Sequence, residues 1–303
     1  MHDGRIVGEW YGNGDRPERP AAVFSMTKTI VSLLLARAVA AGHVELDLPI
    51  TSAIPELRQR DPRFDRITLA DLVDMRSGIA FSEDTSFPWL NRDYPSVYYA
   101  TDLAALVVGR PVIEAPPGRF MYNDYAPNLV GLALERLTGE SLDQGPFRQL
   151  WHDLGARRPA TWARDDRGFP HCESGVAATA RDLARIGQAM LGDGRVAGRP
   201  VAPPAFLERS LGGPDDLVTS FLDVPVGYAN GWWRLPRPAG GADLVAMGAH
   251  GQVMLVSPAT RTVVVRLGDD HPGLSNIDIA LRLQRLADSG CFGDETGLPE
   301  RGR

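Results

Sequence analysis

A chain of 303 residues, 44% hydrophobic and 23% charged, has the balance of a globular protein long enough to bury a sizeable core. Its 38 acidic residues outnumber 32 basic ones for a net charge of −6, and no basic block or stripe offers nucleic acid a footprint. No apolar run reaches the roughly 18 residues of a membrane span, and the opening MHDGRIVGEWYG lacks a signal-peptide pattern, so a cytoplasmic enzyme without membrane attachment is expected.

In chain order, Arg5 to Tyr11 (RIVGEWY) reads as a short strand closed by the turn-rich GNGDRPERP. From Thr27 to Ala41 the spacing predicts a helix, apolar nearly all round and capped by Gly42, which belongs in a core. The segments TLADLVDM, ATDLAALVVG, APNLVGLALERLTG, PFRQLWHDLG and ATARDLARIGQAMLG carry three-to-four-residue apolar spacing, so the middle is mostly helical. After about Gly227 come short β-branched and aromatic runs, GYANGWWRLP, ADLVAMG, QVMLVSP and RTVVVRLG, which predict antiparallel strands with a hairpin at Ser257–Thr260. Asn276 to Ala287 closes as an amphipathic helix with Ser275 at its N-cap, before a polar tail over 291–303 that is expected to be disordered. The expected organisation is one domain over 1–303. A sheet lobe takes residues 1–24 and about 225–290, and a mostly helical lobe takes about 43–224. Cys172 and Cys291 make neither a disulfide framework nor a metal-ligand pattern, and no cofactor or metal is implied.

One residue stands apart. Of 32 basic residues only Lys28 is lysine, and Ser25 lies three positions before it in FSMTKTIVSLLLARAVAAG. Arginine stays protonated, whereas a buried lysine can lose its proton and act as a base. Residues i and i+3 share a helix face, and a helix start favours an alkoxide or oxyanion. With 14 serines in the chain, a chance serine at that position has odds of about one in twenty. The alternative is an N-cap serine followed by a surface lysine, which the positive end of the helix dipole disfavours.

The stretch FSMTKTIVSLLLARAVAAGHVELDLPI resembles the first motif of the penicillin-recognising serine hydrolases: class C β-lactamases, DD-peptidases, related esterases and 6-aminohexanoate-dimer hydrolases. ITLADLVDMRSGI, PPGRFMYNDYAPNLVGLALERLTG and ESGVAATARDLARIGQAML are similar to later segments of that superfamily, in matching order over most of residues 3–268. The resemblance implies an α+β (or α/β) chain of the β-lactamase-like, DD-peptidase-like fold. An antiparallel sheet built from both chain ends, flanked by helices, would stand beside a helical lobe. It implies Ser25 as the acylated nucleophile, Lys28 as its proton acceptor and Tyr122 as the proton shuttle to the leaving group. Gly248 falls on the glycine of the third motif, and the backbone N–H groups of Ser25 and Ala249 would then form the oxyanion hole.

Two departures qualify the substrate. Asp124 stands where the second motif usually has asparagine, and an ionised aspartate only accepts hydrogen bonds. It either pairs with Lys28 or a cationic substrate group, or caps the following helix. The third motif, AMGAHGQ, lacks a leading Lys or His to anchor a penicillin-like carboxylate, as in the 6-aminohexanoate-dimer hydrolase branch. His250 either touches substrate or is a plain turn residue. Glu83, Trp89, Tyr94 and Tyr98 lie on a loop expected to overlook the site. Trp232 and Trp233 face opposite sides of a strand, with core packing the simpler reading. Relatives usually carry one more strand before DGRIVGEWY, so either the start is misplaced or the sheet lacks an edge strand, and an exposed edge would invite pairing with another chain. The functional expectation is a serine hydrolase of a small-molecule amide or ester. An acyltransferase of the same fold, or a non-catalytic binding module, is the alternative.

Overall fold

The computed structural model describes residues 1–12, 14–83, 93–212 and 224–290; the expected tail over 291–303 lies outside them. A short strand β1 (Ala21–Ala22) leads through a single 3-10 turn (Phe24–Met26) into helix α1 (Thr27–Ala40). All residues of α1 from Thr27 to Leu35 are buried, as its all-round apolar character requires. Gly42, at φ +74°, takes the left-handed conformation that lets the chain leave the helix.

The helical region follows with α2 (Ile50–Ala53), α3 (Pro55–Arg60), α4 (Leu69–Val73), α5 (Asp93–Tyr98), α6 (Leu103–Gly109), α7 (Tyr125–Thr138) and α8 (Gly145–Asp153). At its centre α7 packs against α1, α2, α4 and α6. Strands β2 (Thr161–Trp162) and β3 (Val176–Ala178) join β1 in a small antiparallel sheet of order β1-β3-β2. Strands of two or three residues are too short to show a period, which is why this sheet is silent in the sequence. Helix α9 (Ala180–Leu191), the hairpin of β4 (Arg195–Val196) and β5 (Arg199–Pro200), and helix α10 (Pro204–Gly212) complete this half.

The larger sheet comes from β6 (Gly227–Ala229), β7 (Trp232–Pro236), β8 (Ala242–Gly248), β9 (Gln252–Ser257) and β10 (Thr262–Arg266), an antiparallel meander of order β10-β9-β8-β7-β6. Every residue of the central portion β9 is buried. Helices α9 and α11 (Asn276–Asp288) pack on this sheet. A Cβ at Gly187 of α9 would lie 2.5 Å from Val263, so glycine sets how closely that helix approaches. Ser275 and Asp278 form the capping box that starts α11. One connected set of buried apolar side chains runs from α1 through α7 to the strands.

The front of the chain departs from expectation. Met1 exchanges backbone hydrogen bonds with Val263 of β10, and Asp3 N donates to Arg261 O at 3.1 Å. Asp3 and Gly4 then take left-handed conformations at φ 46° and 76°, a turn that leads the chain off the sheet edge. Arg5 to Tyr11 is therefore not a strand: only Arg5 pairs, in a single bridge back to His2, and Trp10 is left 87% exposed. Both chain ends do meet at the sheet, but the front contributes only its first three residues.

Candidate active site

The 3-10 turn places Ser25 half-buried at the foot of α1, with Lys28 one turn further in and only 4% exposed. The residue before the serine, Phe24, is held at φ 48°, a conformation a bulky side chain adopts only under tertiary constraint. Lys28 Nζ donates to Ser25 Oγ at 2.8 Å and to the main-chain oxygen of Glu173 at 3.0 Å, and it ion-pairs with Asp124 Oδ1 at 2.8 Å. These three acceptors use all three ammonium donors. The same ammonium lies 4.9 Å from the ring centroid of Tyr122, and its charge acts on the Tyr122 phenol.

Asp124 settles a choice the sequence left open. It occupies the N-cap position of α7 but caps nothing; the neighbouring Asn123 Oδ1 accepts from Ala126 N at 2.8 Å instead. Asp124 turns inward, 5% exposed, to meet Lys28. This changes the charge state expected from burial alone. Burial is the largest influence on Lys28 and opposes its charge, but Asp124 and Tyr122 together outweigh it. The ammonium is held above the ordinary lysine value, so Lys28 rests protonated rather than neutral. Burial also pushes the Tyr122 phenol up despite Lys28, so it rests protonated too. Tyr122 is held rigidly by stacking on Trp233 at 5.6 Å and by the edge of Tyr228 at 6.1 Å.

The opposite wall is the turn after β8. A Cβ at Gly248 would lie 2.1 Å from the carbonyl oxygen of Val23, so only glycine lets β8 reach the serine turn. Gly248 thus sets Ala249 and His250 beside that turn, where His250 packs its ring on Phe24 at 5.0 Å. Gln252 Nε2 donates to His250 O at 2.8 Å, and Asn276 Nδ2 donates to Gly248 O at 2.8 Å, which pin this wall from behind. His250 itself is exposed and paired with Asp270 at 2.8 Å.

The family model described as Beta-lactamase matches residues 1–288. The chain belongs to the beta-lactamase family. Among curated members, the 6-aminohexanoate-dimer hydrolase of Paenarthrobacter ureafaciens is 26% identical over 286 residues, spanning 88% of this chain and 70% of that protein. Esterase EstB of Burkholderia gladioli is 30% identical over 161 residues, 47% of this chain and 39% of its own. A Bacillus anthracis structure described as a 6-aminohexanoate-dimer hydrolase superposes with TM-score 0.81 at 21% identity, covering 96% of this chain and 77% of that one. A class C β-lactamase does so with TM-score 0.64 at 17% identity, over 92% and 84% of the two chains. The fold is that of β-lactamases and penicillin-binding proteins.

Within this family frame the structure brings Ser25, Lys28, Tyr122 and Asp124 together and sets Gly248, Ala249 and His250 on the facing turn. Tyr94 and Tyr98, both within α5, stack on each other at 6.3 Å, and Glu83 is exposed at the border of the described residues; Trp89 lies outside them. Although exposed at its surface, the Glu83 carboxyl is pushed up to about 7 by partial desolvation and then by the charge of Asp124. Trp233, read from the sequence as core packing, backs Tyr122, and two contributors escape sequence reasoning: Glu173, whose main chain holds Lys28, and Gln252, which pins the facing turn. Their only signal is membership in motif-like stretches, because each acts through a partner distant in sequence.

Proposed function

We propose that this protein is a serine hydrolase that cleaves a small amide or ester through an acyl-enzyme on Ser25. The observation that carries this reading is the 2.8 Å hydrogen bond between the sole lysine and Ser25 Oγ at the foot of the buried helix. Lys28 rests as an ammonium, so its proton must leave before it can act as base. Asp124 is the acceptor: burial pushes its carboxyl up, Lys28 pulls it down, Glu173 pushes it up again, and the net shift is upward. Transfer within this pair gives a neutral amine and a neutral acid, a step uphill from the resting ion pair whose cost is lowered by the burial of both charges.

The amine then takes the Ser25 proton as Oγ bonds to the substrate carbonyl carbon. The oxyanion is received by the N–H groups of Ser25 and Ala249. Tyr122 gives its proton to the departing amine or alkoxide and is reprotonated from Lys28. Water hydrolyses the acyl-enzyme with the same groups acting in reverse. Relatives named as a 6-aminohexanoate-dimer hydrolase and an esterase support the small amide or ester class. Ala246 and Met247 ahead of Gly248 offer no cation to a β-lactam carboxylate.

The test is incubation with a fluorophosphonate probe followed by mass spectrometry. Labelling at Ser25, lost in Lys28→Arg, is expected; a folded protein that stays unlabelled overturns the reading. Turnover of p-nitrophenyl esters and the 6-aminohexanoate dimer, with nitrocefin inert, is the expected substrate profile.

A further inference from the structure

A groove apart from the Ser25 site has a chemistry that the proposed reaction leaves unused. It measures about 790 Å³ and is lined by α8, the loop that follows it and β2; none of Ser25, Lys28, Tyr122 and Asp124 lines it. Its floor is aromatic. Phe147 and Trp151 share a face of α8 with ring centroids 5.1 Å apart, and Trp162 of β2 meets Phe147 at 5.0 Å. These three side chains are 4–8% exposed. Trp151 Nε1 donates to Arg158 O and Trp162 Nε1 to His171 O, both at 2.9 Å. The rings are therefore fixed with their polar atoms engaged, and they offer the groove only apolar edges.

The rim carries positive charge that nothing balances. Arg148, Arg157 and Arg158 line the groove and are exposed, and among the described residues their guanidinium groups make no hydrogen bond or ion pair. The acids nearby are engaged elsewhere: Asp143 pairs with Arg164, and Asp153 with Arg37. Asp182, 1% exposed, accepts Arg157 N at 2.8 Å through one oxygen and Arg158 N at 3.1 Å through the other. With Trp151 holding the Arg158 carbonyl, that carboxylate anchors the backbone from which two adjacent guanidinium groups project. Three unbalanced arginines around one recess stand out in a chain of net charge −6.

We propose that this groove binds a small organic anion: an aromatic or apolar body that carries carboxylate or phosphate charge. Guanidinium groups grip either acid through paired N–H donors, and they stay charged at any working pH. The ring edges on the floor receive the body, and the volume lies in the range of small-ligand sites. The site needs no chemistry at Ser25, so it stands apart from the hydrolase reading.

The test is isothermal titration calorimetry on the whole chain with two probes, naphthalene dicarboxylate and naphthyl phosphate. Binding of at least one probe at a single site is expected, and their relative affinities tell which acid the groove takes. Affinity should fall as salt is raised, because the rim is open to solvent. Arg157→Gln combined with Arg158→Gln is expected to weaken binding about tenfold, and Arg148→Gln alone about threefold. Arg282→Gln combined with Arg285→Gln removes the same two charges from α11, outside the groove, and should change affinity by no more than about twofold. Equal weakening by the two double variants would overturn the proposal, since net charge rather than the groove would then set affinity. Neutral naphthol or inorganic phosphate bound as tightly as the probes would overturn it too, as would a protein that binds neither probe.

Discussion

The two walls of the site are built on different principles. On the α1 and α7 side, Lys28 and Asp124 are almost fully buried, and Tyr122 is clamped between Lys28, Trp233 and Tyr228. On the β8–β9 side, His250 is exposed and leans on Phe24 and Asp270, with only the backbone pinned from behind. The first wall fixes charge states, because low dielectric and close partners magnify each electrostatic interaction. The second fixes a backbone position and leaves its side chains in water. In the proposed mechanism proton transfer falls to the buried wall, and the open wall supplies only the Ala249 N–H that joins Ser25 N–H at the oxyanion.

The sharpest break in this comparison is Lys28→Arg. Charge is conserved but the proton cannot leave, so Ser25 labelling should fall by at least about a thousandfold while circular dichroism is unchanged. Substantial residual turnover would shift the base to another group. Gly248→Ala strikes the open wall at its one rigid point. A methyl placed 2.1 Å from the Val23 oxygen must push β8 away from the serine turn, with an expected loss of about a hundredfold in kcat/KM. Activity within twofold of wild type would show that the wall tolerates movement. Trp233→Leu should leave Tyr122 loosely held and lower unfolding free energy by about 2–4 kcal/mol, measured by urea denaturation.

A smaller effect concerns pH and the pair that Glu173 Oε1 forms with His171 Nδ1 at 3.1 Å. Glu173 is held below its ordinary 4.5, so its stabilisation is present above that value and fades as the pH falls through the lowered one. His171 is held above its ordinary 6.5, so its stabilisation is present below that value and fades as the pH rises through the raised one. The stability advantage of wild type over His171→Gln should therefore peak between these limits, at about 1–3 kcal/mol, and shrink on both sides. A difference that is flat with pH contradicts the ion pair. The least effect is expected from His250→Ala: an exposed pair with Asp270 is worth less than about 1 kcal/mol, and labelling should stay within about twofold. A large loss there would move chemistry onto the open wall.

Much of this molecule is local and legible. The apolar spacing of the helices, the β-branched and aromatic runs from Gly227 to Arg266, and the Ser275–Asp278 cap all act over a few residues, and each element forms where its pattern lies. A lone lysine three residues after a serine pointed to a contact for the same reason, since one helical turn brings Lys28 Nζ to 2.8 Å from Ser25 Oγ. Tertiary structure decided the rest. Arg5 to Tyr11 has strand composition, but a strand needs a neighbour, and the turn at Asp3–Gly4 carries it away from β10. The charge of Lys28 depends on Asp124 and on a carbonyl 145 positions distant, because desolvation and Coulomb energy follow distance in space and not along the chain.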